Sequence, residues 1–143
     1  GCYCVNVSRL IFESEPVSAK AVLTLNVDRK VDETTLAILE FPRERYASFT
    51  CSFSMRQVNY YEVYGTEGKI YVEPFVLPWN DAVIKFYSNP FGTNEIVVPS
   101  LNQYLLEIQH FSRCVQEGRL LPPGENGLAN MRGIDLIRAS LKS

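Results

Sequence analysis

A chain of 143 residues, 46% hydrophobic and 21% charged, has the composition of a folded domain and the length to enclose one sizeable core. Its formal net charge is −2 and no Lys/Arg-rich run occurs, which argues against nucleic acid and anionic membranes as partners. No apolar stretch approaches the roughly 20 residues of a membrane span, and residues 1–12 lack the basic start and small-residue cleavage site of a signal peptide.

The opening residues, GCYCVNVSRLIF, place Val5, Leu10 and Phe12 at roughly helical spacing, with Asn6, Ser8 and Arg9 between them. The residue before Pro16 is pushed out of the α region, so this helix ends by Ser14. A strand-rich block follows. VSAKAVLTLNV alternates loosely, with Val22, Thr24 and Asn26 on one side and Ala21, Leu23 and Leu25 on the other. VDRKVDET reads as a polar turn, TTLAILEF as a second strand and PRER as the next turn. YASFTCSFSM alternates cleanly, setting Ala47, Phe49, Cys51, Phe53 and Met55 against Ser48, Thr50, Ser52 and Ser54. YYEVYGTEGKIYVEP is a hairpin signal, because Gly65 and Gly68 tolerate positive φ. AVIKFYS and NEIVV pair around a turn at Asn89–Gly92.

Helices return after the strands. Ser100 is the expected N-cap of a helix whose Leu101, Tyr104, Leu105, Ile108, Phe111 and Val115 form one buried face, closed by Gly118. LLPPGEN is a short rigid loop. A last helix over about residues 126–141 is expected to bury Leu128, Met131, Ile134, Ile137 and Leu141. The order of helix, six or seven strands and two helices predicts an α+β fold. Its sheet is open and mostly antiparallel, with helices on one face and the other face free.

The inventory for chemistry is thin. Four cysteines (Cys2, Cys4, Cys51 and Cys114) accompany a single histidine, His110. Cys2 and Cys4 do not have the spacing of a CxxC redox or zinc motif. No metal site is expected, and the thiols read as reduced packing groups of a cytoplasmic protein. His110 sits on an apolar helix as a structural or solvent-edge residue. Glu13, Glu15, Glu44 and Glu67 are scattered acids rather than a catalytic pair, and EPFVLPWN around Trp79 reads as a small aromatic core. GTEG joins two strands, so it is not a phosphate cradle. These residues alone describe a binding or assembly domain without catalytic machinery of its own.

Several stretches, in order along the chain, resemble the C-terminal domain of the Gfo/Idh/MocA family of nicotinamide-dependent oxidoreductases. The subgroup they look most like holds dimeric dihydrodiol dehydrogenase and bacterial sugar dehydrogenases. GCYCVNVSRLIF is similar to the helix after the family's GGALMD segment, SFTCSF to a central strand, VYGTEGKIYVEPF to its GTxG-x-I hairpin, and GLANMRGIDLIRASLKS to its terminal helix. The resemblance implies that residues 1–143 form a single C-terminal substrate and dimerisation domain. It also implies that an N-terminal Rossmann domain lies outside this chain. NAD or NADP would be bound mainly by that missing domain, with no cofactor-binding residue here.

The family's D-x-x-x-[HY] pattern falls with its last position on Tyr3 and its aspartate two residues before Gly1. The resemblance therefore makes Tyr3 the general acid/base, its pKa lowered by a lysine of the missing domain. Asn6, one turn further along, is a weaker candidate for substrate contact or a structural hydrogen-bonder. The implied substrate is a sugar, polyol or dihydrodiol, and the implied partner a second copy bound through the free sheet face. A non-catalytic assembly module on the same sheet is the alternative.

Overall fold

The computed structural model describes residues 1–76, 79–88, 90, 92–120 and 125–141, Glu125 by its backbone alone. Pro78, Asn89, Phe91 and most of the LLPPGEN loop, all part of the sequence expectations, lie outside the described residues. The elements run α1 (Cys2–Phe12), β1 (Ser18–Asn26), β2 (Val31–Phe41), β3 (Arg45–Ser52), β4 (Tyr61–Tyr64), β5 (Gly68–Glu73), β6 (Ala82–Ser88), β7 (Gly92–Val98), α2 (Gln103–Glu117) and α3 (Glu125–Ser140). This is the expected α+β order, with seven described strands paired antiparallel throughout.

The strands do not form one ladder. They divide into a three-stranded sheet, β1-β2-β3, and a four-stranded sheet, β4-β5-β6-β7. β3 ends at Ser52. The Ser52 hydroxyl accepts from the Ser54 amide at 3.1 Å, a local side-chain turn that competes with ladder pairing. Phe53 and Met55, expected on the same side of a longer strand as Phe49, lie beyond β3 and are exposed. The chain accordingly forms two compact units, Gly1–Arg56 with Leu120–Ser143, and Gln57–Arg119.

The first unit has a true core. β2 alternates, with Thr35, Ala37, Leu39 and Phe41 turned inward and Leu36 and Ile38 outward. Val5 of α1 and Ile137 of α3 complete the buried cluster, flanked by Phe12, Ala19, Ala21, Ala47, Phe49 and Ile134. Both helices lie on this one face of the sheet. Val22, Leu36, Ile38 and Tyr46 stand exposed on the other.

In the second unit the β4–β5 turn closes with a Gly65 N–H to Gly68 carbonyl bond of 2.9 Å. Positive φ is not what these glycines supply, since among glycines it occurs at Gly92 and Gly118. Gly68 is needed for close approach: a Cβ there would stand 2.1 Å from the Tyr87 carbonyl oxygen. Asn59 braces the segment after β5, its Oδ1 accepting from the Val76 amide at 3.0 Å, and the Tyr61 and Phe75 rings meet edge-on. Trp79 remains exposed, so the aromatic mini-core expected there is limited to its Phe75 end.

Two helix expectations change. α2 is capped by Asn102, whose Oδ1 accepts from the Leu105 amide at 3.1 Å, and not by Ser100. No residue of α2 is buried, and Phe111 is 68% exposed. Periodicity reports one-sided hydrophobicity and not the presence of a surface to receive it. α3 buries only part of the face expected. Ile134 and Ile137 pack inward, but Leu128 and Met131 are exposed. At about 100° per residue, Leu128 lies roughly 120° around the helix from Ile134.

Candidate active-site helix

α1 carries both residues singled out from the sequence, and its surroundings fix which way they face. Val5 is fully buried. Tyr3, two residues earlier, lies roughly 200° around the helix from it and so points away from the core; it is 55% exposed. Asn6 is about 60° from Tyr3 and half-buried, so the two share the outward side of α1. Neither side chain makes a hydrogen bond recorded among the described residues.

Three polar clamps hold this helix, one near its start and two at its last turn. Near the start, Gly1 offers no side-chain cap, and the Asn130 Nδ2 of α3 donates to the Cys2 carbonyl at 3.2 Å. In the last turn, Arg9 is only 8% exposed and forks onto Glu15, Nε to Oε2 at 2.7 Å and Nη2 to Oε1 at 2.8 Å. Its Nη1 donates to the Asn126 Oδ1 at 3.0 Å. These bonds push the Arg9 guanidinium up and hold the Glu15 carboxyl below the usual range. At the far end, Arg45 donates to the Phe12 carbonyl and the Ser14 hydroxyl, both at 3.0 Å, and its guanidinium lies 4.9 Å from the centre of the Phe12 ring. A cation at a helix C-terminus also meets the negative end of the helix dipole.

Packing reinforces the clamps. A Cβ on Gly133 would stand 2.7 Å from Val5 Cγ1, so glycine lets α3 approach α1 closely. Asn126, Asn130, Gly133, Ile134 and Ile137 fall at i, i+4, i+7, i+8 and i+11, a single stripe along α3. The sequence reading passed over this stripe because three of its five members are polar or glycine. It also left Arg9 among the spacers and Glu15 among the solvated acids. The signal available was the 3.6-residue spacing itself.

A cleft of about 420 Å³ opens beside the start of α1, lined by Gly1, Cys2 and Val5, by Leu23, Thr35, Phe49 and Cys51 of the sheet, and by Ile137 of α3. Tyr3 and Asn6 do not line it. Cys4, on α1 itself, is half-buried, and that burial pushes its thiol up. None of the four cysteines is in a disulfide.

The described residues do not fit a dinucleotide. No glycine-rich turn leads from a strand into a helix N-terminus, the arrangement that holds a pyrophosphate. Nor, among the described residues, do three His, Cys, Asp or Glu side chains converge as a metal site would need. His110 is exposed on α2, its Nε2 3.6 Å from the Cys114 Sγ. On the second sheet Lys69 is bonded to Glu62 at 2.7 Å and lies over the Tyr64 and Tyr87 rings. Beside it the Tyr71 hydroxyl donates to Glu73, which raises its pKa to about 12. Those charged groups are already satisfied. No described helix is long and apolar enough to cross a membrane.

Residues 1–71, which contain α1 and the whole first sheet, match the family model of the GFO/IDH/MocA C-terminal domain. The chain carries a GFO/IDH/MocA C-terminal domain. Its curated relatives include D-xylose 1-dehydrogenase [NADP(+)] from Haloarcula marismortui, 30% identical over 96% of this chain and 39% of that protein. Human trans-1,2-dihydrobenzene-1,2-diol dehydrogenase is 31% identical over 49% of the chain and 21% of its own length. The same fold occurs in the aldose-aldose oxidoreductase of Caulobacter crescentus, with a TM-score of 0.80 and 24% identity over 99% of this chain and 44% of that one. It occurs also in the 3-ketoreductase KijD10 of Actinomadura kijaniata, solved with NADP, with a TM-score of 0.84 and 23% identity over 98% and 45%. The chain thus spans under half the length of these relatives.

Proposed function

We propose that this is the C-terminal substrate and dimerisation domain of an NAD(P)-dependent oxidoreductase acting on a hydroxyl of a sugar, polyol or dihydrodiol. The single observation that carries the proposal is the placement of Tyr3. It stands on the outward side of a helix that three clamps and a glycine contact hold to the core. A general acid/base must be reachable and held in place at once. The names of the relatives supply the substrate class and the cofactor.

In this proposal residues 1–143 are one domain, and a preceding Rossmann domain holds NAD or NADP. The part of this chain is proton transfer. In oxidation Tyr3, as its phenolate, accepts the proton of the substrate hydroxyl, and in reduction the Tyr3 hydroxyl returns it, while Asn6, on the same side of α1, contacts the substrate. Cytoplasmic residence would keep its thiols reduced.

Tyr3→Phe in the full-length protein tests the assignment. Turnover is expected to fall about 10²–10⁴-fold, the usual cost of losing a general acid/base, with cofactor Kd unchanged. Retention of more than about a third of kcat would place the proton elsewhere. The sequence upstream of Gly1 is a second check: a glycine-rich dinucleotide fingerprint and an aspartate two residues before Gly1 are expected. Titration of the 143-residue chain with NAD and NADP is expected to give no micromolar binding, and such binding would overturn the domain assignment.

A second reading, a non-catalytic assembly module, is favoured by Val22, Leu36, Ile38 and Tyr46 standing exposed on the free face of the first sheet. In either case that face pairs with a second copy. Ile38→Lys is expected to convert a dimer to a monomer by light scattering, and an unchanged mass would exclude this face.

A further inference from the structure

Among the described residues, one side chain from outside α1 hydrogen-bonds its first turn, and it comes from a residue that stability alone does not favour. The Asn130 Nδ2 donates to the Cys2 carbonyl. Only the amide nitrogen can face a carbonyl oxygen, so the Asn130 Oδ1 is turned the other way, where it is buried without a hydrogen-bond partner. A buried acceptor left unpaired is destabilising. A leucine, branched at the same carbon, on the same α3 stripe one turn before Ile134 and two turns before Ile137 would carry no such orphan.

The bond is placed where its geometry matters. The Cys2 carbonyl belongs to the peptide group whose nitrogen is that of Tyr3. Fixing that plane fixes the position of the Tyr3 Cα and the direction of its side chain. The remaining clamps act further along, at Arg9 and at Phe12. Gly1 gives no side-chain cap, and an uncapped first turn frays. We propose that Asn130 is a positioning residue that holds the first turn of α1 and so aims the Tyr3 hydroxyl at the reacting hydroxyl of the substrate. This rests on the assignment of Tyr3 as the acid/base.

The test is a double-mutant cycle in the full-length enzyme, with NADP and either D-xylose or trans-1,2-dihydrobenzene-1,2-diol as probe substrate. Asn130→Leu is expected to melt no lower than the wild type, because the orphaned acceptor is gone. It is expected to lower kcat by about 10–100-fold, the scale of a misplaced catalytic group, and to leave the Kd of NADP unchanged. In the Tyr3→Phe background the same substitution is expected to change kcat less than twofold. An equal loss in both backgrounds would make Asn130 merely structural and overturn the proposal. So would a kcat within twofold of the wild type for Asn130→Leu while Tyr3→Phe is crippled. If Tyr3→Phe itself retains turnover, the acid/base assignment falls first and takes this proposal with it. Should the leucine melt far below the wild type, Asn130→Ala replaces it in the same cycle, with the same criteria.

Discussion

α2 and α3 invert what their sequences suggest. α2 repeats its apolar residues at helical spacing from Tyr104 to Val115 and buries none of them. α3 interrupts its apolar positions with Asn126, Asn130 and Gly133 and yet contributes Ile134 and Ile137 to the core. Burial of a helix depends on a surface that matches it, and α3 has one. Glycine sits where α1 comes closest, and asparagine where α1 presents a carbonyl and a guanidinium. The same contrast separates the units that hold them. The first encloses Val5, Ala37, Leu39 and Phe41 almost completely; the second has Val72 as its buried apolar residue among those described.

The largest effect that would sharpen this contrast is at Phe41, 1% exposed and in ring contact with Phe12 at 4.7 Å. Phe41→Ala is expected to cost about 3–5 kcal/mol in a urea melt. A loss under about 1 kcal/mol would remove the first unit's claim to the main core. Arg9→Met comes next, at about 1–3 kcal/mol for the lost charged hydrogen bonds. The cost stays below that of a fully buried ion pair because Glu15 is exposed enough to be solvated once released.

The spacing of α1, the alternation of β2 and β3, and the hairpins of the second sheet were readable because local pattern and observed structure agree there. The residues that fix α1 were not. Arg9, Asn126, Asn130 and Arg45 are polar, and their value lies in partners up to 128 positions distant in the chain. Pattern marks what avoids water; it does not mark which carbonyl a particular amide will meet. Tyr3 was legible only through the resemblance, since nothing in its spacing distinguishes it from an ordinary helix tyrosine.

Gly133→Ala sets two terms of opposite sign against each other. Alanine gains about 1 kcal/mol of helix propensity over glycine. Overpacking against Val5, which is buried and cannot swing aside, costs about 1–3 kcal/mol. A net loss of up to about 2 kcal/mol is expected. In a Val5→Ala background the clash is absent and the sign should reverse, so Gly133→Ala then stabilises. A loss in both backgrounds would mean that Gly133 does not set the distance between α1 and α3.

A smaller effect is expected with pH. Arg9 holds the Glu15 carboxyl below its ordinary value of 4.5. A depressed carboxyl contributes stability that is complete above that value and is lost as pH falls through the lower, folded value. The gap in Tm between wild type and Glu15→Gln should therefore be present at pH 6 and shrink towards pH 3. A gap that widens on acidification would contradict the ion pair.

Phe111→Ala is expected to have the smallest effect, and it bears most directly on the contrast. From its helical spacing alone Phe111 belongs to a buried face, and emptying such a site costs about 3–5 kcal/mol, as at Phe41. The structure leaves it 68% exposed on a helix with no buried residue. Truncation there removes little area from protein contact, and alanine is a better helix former than phenylalanine by a few tenths of a kcal/mol. The expected change is within about 0.5 kcal/mol, as for other surface substitutions. Periodicity and observed exposure thus differ severalfold in what they require of one substitution. A melt of Phe111→Ala beside Phe41→Ala, in the same protein and the same denaturant, separates them. A loss above about 2 kcal/mol at Phe111 would mean that the stripe of α2 is covered in solution, and the contrast between the two helices would disappear.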